Sequence, residues 1–61
     1  MTLRESRFFK GLNQWDLSVK TKLSQTKISL IENGYVVPSD EEKALLAKVL
    51  GCEVEEIFSV E

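Results

Sequence analysis

Histidine is absent from this sequence, and cysteine and proline occur once each, as Cys52 and Pro38. A lone cysteine forms no internal disulfide. Without histidine the usual zinc constellations are out of reach as well, so neither staple can compensate for a small core. The single thiol fits a reducing compartment, and the expected location is the cytoplasm. The missing histidine also removes the commonest general base, and no glycine-rich phosphate loop is present, so an enzyme is not expected. No apolar run approaches the roughly 18 residues of a membrane span, and the polar start "MTLRESR" has no resemblance to a targeting segment. Alternating β-branched runs of strand length, internal repeats and low-complexity stretches are missing too. The expectation is one soluble all-α domain spanning residues 1–61. A domain of this size buries only about 60% of the surface that its unfolded chain exposes.

The charge that is present is unevenly spread. The formal net charge is −2, but residues 1–35 carry six basic against three acidic side chains, whereas residues 36–61 carry two against seven. A chain of net +3 in one half and −5 in the other argues for separate roles. Asp40, Glu41 and Glu42 suit the positive end of a helix, and Glu53, Glu55 and Glu56 read as solvated charge rather than as a metal site.

Punctuation by caps and glycines predicts five short helices. Thr2 and Glu5 have capping-box spacing, and the first helix runs to Lys10 before Gly11. Asn13 caps a second helix that reaches about Thr21, with Asp16 near its positive end. Ser24 caps the third, which Asn33-Gly34 closes. Ser39 and Glu42 box the start of a fourth, ending at Leu50-Gly51, and a fifth covers Val54 to Phe58. Helical spacing picks out Leu3, Leu12, Leu17, Leu23, Ile28, Ile31, Leu46, Ala47, Leu50, Val54, Ile57 and Phe58 as the core. The link of Lys22 and Leu23 is too short for antiparallel helices, so the second and third should cross steeply.

On the third helix, Gln25, Thr26, Ser29, Leu30 and Asn33 share one arc, while Ile28 and Ile31 point the other way. One reading of that arc is an ordinary solvated face. Such faces usually carry opposed Glu and Lys pairs, which are scarce here. The other reading is a surface that meets DNA bases: a Gln amide can bond adenine at two places, hydroxyls serve several bases, and a Thr methyl or a Leu can touch a thymine methyl.

"GLNQWDLSVKTKLSQTKISLIENG", residues 11–34, resembles without a gap the helix-turn-helix of the Cro and phage-repressor (XRE-type) family. Pro38-Ser39 and "LAKVLG" at 46–51 match its later segments. The resemblance implies a five-helix lambda-repressor-like domain with the helix-turn-helix formed by helices 2 and 3. It implies a small transcriptional regulator, most simply a repressor, that binds double-stranded DNA at an operator-type site. A homodimer is expected because one helix reads too few base pairs and a two-fold pair reads two half-sites, and the residues suggest no cofactor, metal or small-molecule substrate. The resemblance assigns base contacts to Gln25, Thr26 and Ser29, and phosphate contacts to Asn13, Gln14, Ser24, Lys27 and Asn33. Arg7 and Glu32 would form a partly buried ion pair.

Three departures stand out. Lys22 occupies the turn position where the family usually has Gly, so it either adopts the left-handed conformation or reshapes the turn. Tyr35, Val36 and Val37 stand where relatives often carry Lys or Arg. Phe8, Phe9 and Trp15 replace Glu, Lys or Gln and suggest a patch for a protein partner; alternatively, one phenylalanine turns inward to fill space beside the small Ser6. A dimer contact could use this patch or Ile57, Phe58 and Val60 of the last helix. The competing function is a protein-interaction module, or an antitoxin-like regulator, built on the same frame.

Overall fold

The computed structural model describes residues 2–58. Val60, a candidate dimer contact, lies outside them. Helices α1 (Leu3–Phe9), α2 (Gln14–Thr21), α3 (Gln25–Glu32), α4 (Asp40–Leu50) and α5 (Val54–Phe58) follow in order, with no strand among the described residues. Nor is any of these helices long and apolar enough to cross a membrane.

Helices of five to eleven residues are unstable alone in water, so their ends and their packing must hold them. Thr2, Asn13 and Ser39 each accept a hydrogen bond from the backbone three residues on, and Glu5, Asp16 and Glu42 return the bond to the cap's own N–H, completing three capping boxes. Ser24 accepts from the Lys27 N–H at 3.0 Å, but Lys27 cannot reciprocate, so α3 starts on half a box.

The centre of the core is Leu17, Ile28 and Leu46, one each from α2, α3 and α4, all fully buried. Burial of each such side chain stabilises the fold by about 1.5–3 kcal/mol. Leu3, Ile31, Ala47, Leu50 and Ile57 extend the cluster, and Leu12, Leu23, Val36, Val49, Cys52, Val54 and Phe58 close its edge. Ile57 is committed to this core and Phe58 is half-buried against it.

The turn between α2 and α3 keeps the left-handed form. Lys22 has φ 61° and ψ 18°, and it is the only non-glycine at positive φ among the described residues. An L-residue there costs about 1–2 kcal/mol through crowding of Cβ against the following carbonyl. Buried Thr21 braces the turn: its hydroxyl donates to Leu17 O at 2.7 Å and accepts from the Leu23 N–H at 3.3 Å. Both phenylalanines of α1 point outward, contrary to the reading that one fills space beside Ser6. Buried Ser6 instead has its Oγ 3.9 Å from Cys52 Sγ.

Candidate nucleic-acid interface

Helix α3 buries Ile28 and Ile31 and turns Gln25, Thr26 and Leu30 outward, with Ser29 half-exposed between them. Gln14, from the first turn of α2, joins these four around one shallow depression. The surface therefore gathers amide, hydroxyl and aliphatic groups from both helices, with no ionised side chain in its lining. Such a surface can exchange hydrogen bonds with neutral base edges without a charge to desolvate.

Gln14 is held from behind. Its Nε2 donates to Glu32 Oε1 at 3.1 Å, and the same carboxylate takes Arg7 Nε at 2.7 Å and Nη2 at 3.2 Å. Arg7 Nη1 donates to Leu12 O at 3.1 Å, which ties the guanidinium to the loop before α2. The side chains of Arg7 and Glu32 are only 7% and 4% exposed, so the two-pronged geometry matters: a buried pair is tolerable when its hydrogen-bonding capacity is met. The Phe8 ring lies 4.9 Å from the Arg7 guanidinium and 5.7 Å from that of Arg4. One face of the supposed partner residue thus roofs the ion pair.

The other named residues differ in how free they are. Asn13 is exposed and spends its Oδ1 on the Asp16 N–H at 2.7 Å, and its amide N–H groups are not engaged in the cap. Ser24 is exposed and uses its oxygen as a cap, so its hydroxyl hydrogen remains available. Asn33 folds back on its own helix, donating to Ser29 O at 2.8 Å. Lys27 is drawn away from the α3 surface into an ion pair with Glu42 of α4, 2.9 Å between Nζ and Oε2. That hydrogen bond, with the one from the Ser39 backbone, holds the Glu42 carboxyl below its ordinary pKa.

Phe8, Phe9 and Trp15 are all exposed, at 61%, 81% and 62%. Phe8 and Phe9 flank a shallow groove with Glu5, and Trp15 is not among its lining residues. Trp15 lies on α2, four residues before the 58% exposed Val19.

Three links escaped sequence reasoning: Gln14 to Glu32, Phe8 to Arg7, and Lys27 to Glu42. The last did leave a signal. A lysine in the first turn of a helix opposes the helix dipole, and such a residue calls for a carboxylate from elsewhere.

A family model described as helix-turn-helix matches residues 9–57, most of the chain. The chain belongs to this helix-turn-helix family. It is the XRE-type family indicated by the motif at residues 11–34, and its domains are DNA-binding regulators rather than enzymes. Helices α2 and α3 are its helix-turn-helix, packed closely on each other within an all-α domain. No curated protein matches the chain.

Proposed function

We propose that the protein is a sequence-specific double-stranded DNA-binding regulator of the cytoplasm, acting as a repressor by occupying an operator-type site, with α3 in the major groove. One observation carries the reading: Gln14, Gln25, Thr26 and Ser29 converge on a single uncharged surface. In that pose Gln25, Thr26 and Ser29 meet base edges. Gln14 and Asn13 meet a phosphate at the start of α2, where free backbone N–H groups point outward, and Ser24 and Asn33 lie along the backbone. Lys27 reaches a phosphate on exchanging Glu42 for it. The protein binds as a homodimer, because one helix reads too few base pairs and a two-fold pair reads half-sites about 34 Å apart. Selection from a random DNA pool tests this directly. The expected result is an enriched consensus with two-fold symmetry, occupied by two chains in sedimentation. Absence of any consensus at low salt sinks the DNA reading, and one chain per site at saturation sinks the dimer.

A second reading, docking to another protein, is favoured by Phe9, Trp15 and Val19, which are 81%, 62% and 58% exposed. Salt separates the two. DNA affinity falls log-linearly with salt, by about 0.9 per neutralised phosphate, and an apolar contact shows no such slope.

A further inference from the structure

The uncharged α3 surface can specify a sequence but supplies little attraction to a polyanion, so cations beside it must supply the rest. Within the helix-turn-helix these are Lys20, Lys22 and Lys27, and Lys27 is neutralised by Glu42 at 2.9 Å. Lys22 is exposed and bonds to no side chain or backbone group. It also sits at φ 61°, in a conformation that glycine adopts without strain. For stability alone lysine is a poor choice there. Three residues separate it from Gln25, a chain reach of at most about 10 Å, and its four-carbon stem carries the ammonium further toward the edge of a groove.

We infer that Lys22 is a phosphate-binding residue of the protein–DNA interface, its charge retained at the expense of backbone strain in the turn. This rests on the DNA-binding reading above. The strain and the charge separate experimentally, because Lys22→Gln keeps Cβ and removes the ammonium, Lys22→Gly removes both, and Lys22→Arg keeps both.

The test is affinity for the selected site and for unrelated duplex across a salt series, alongside thermal melting of the free protein. Lys22→Gln and Lys22→Gly should each lose about eightfold in affinity at 0.1 M salt on both DNAs, with a log–log slope shallower by about 0.9, and Lys22→Arg should match the wild type. Lys22→Gly should in addition melt a few degrees higher, so folding failure does not confound its weaker binding. Wild-type affinity and slope in Lys22→Gln would overturn the assignment while leaving the DNA reading intact. A wild-type protein with no salt-dependent DNA binding would overturn both.

Discussion

Helices α3 and α4 both begin at a serine cap, yet their first turns are built in opposite ways. After Ser39, α4 places Asp40, Glu41 and Glu42 at its positive end and closes a full capping box. After Ser24, α3 has no acidic residue in its first turn and sets Lys27 where the box would need a carboxylate. The first arrangement favours helix stability. The second gives up that gain, and a helix start cleared of negative charge is what a duplex would tolerate. Stability for α3 has to come from elsewhere: Ile28 and Ile31 in the core, Glu32 in its last turn, and Glu42, which α4 lends to Lys27.

The largest expected effect attacks the support at the far end of α3. Glu32→Ala leaves the Arg7 guanidinium buried without its partner and releases Gln14, a loss of about 3–5 kcal/mol. A domain of this size has roughly 3–9 kcal/mol in total, so urea unfolding should show the variant largely unfolded or close to it. A loss of no more than about 1 kcal/mol would mean that this pair contributes no more than a surface ion pair and does not support α3. The double change Arg7→Met with Glu32→Leu should recover much of the stability, because no charge is left buried, while DNA binding stays weak for want of an anchored Gln14.

A second break separates the two sides of α3. Gln25→Ala should leave the unfolding midpoint unchanged and lose about 1–3 kcal/mol on the selected site, relaxing its sequence preference. Gln14→Ala should instead weaken all DNA sequences alike. Equal affinity of the Gln25 variant and the wild type in a fluorescence titration would remove the base-reading role.

The division between α3 and α4 also explains what was legible in the sequence. The caps at Thr2, Asn13, Ser24 and Ser39 were legible because both halves of a cap lie within three residues. Leu17, Ile28 and Leu46 were legible because a buried helix face repeats with the helical turn. Buried Ser6, Ser18 and Thr21 were not, because apolar periodicity ignores polar groups. Ser18 and Thr21 satisfy their hydroxyls on carbonyls of their own helix, at Trp15 and Leu17. Within the interface, the outward arc of α3 followed from angle alone, but the grip of Glu32 on Gln14 spans 18 residues and depends on how three helices meet. For Lys27, its place in the first turn, against the helix dipole, signalled a need for a carboxylate but not that α4 supplies it.

Removing each serine cap should measure the asymmetry itself. Ser39→Ala removes the 3.1 Å bond from the Glu42 N–H but keeps the 2.9 Å bond that the backbone N–H of residue 39 donates to the Glu42 carboxylate, whereas Ser24→Ala removes the single 3.0 Å bond of its cap. Thermal unfolding of the free protein should show a loss of about 1 kcal/mol for the second and less for the first, whose reciprocal bond and acidic first turn remain. Equal losses would mean that the two helix starts do not differ in strength.

The smallest expected effect on stability comes from Glu42→Gln, and it is the sharpest on the link between the two helices. Glutamine keeps an oxygen for the Ser39 N–H, so the α4 box survives, while the charge that holds Lys27 is gone. The folded-state pKa of Glu42 is lowered, first by the Lys27 hydrogen bond and then by the Ser39 backbone. Its contribution is therefore fully present above the unfolded carboxylate pKa and is lost as pH falls through the lower folded value. The small gap in urea midpoint between wild type and variant should stay constant from pH 7 to about 5 and close on further acidification. At pH 7 the freed Lys27 should raise affinity for every DNA sequence and steepen the salt slope by up to about 0.9. If the slope stays the same, Lys27 does not reach the duplex even when released, and its role is only to fasten α3 to α4.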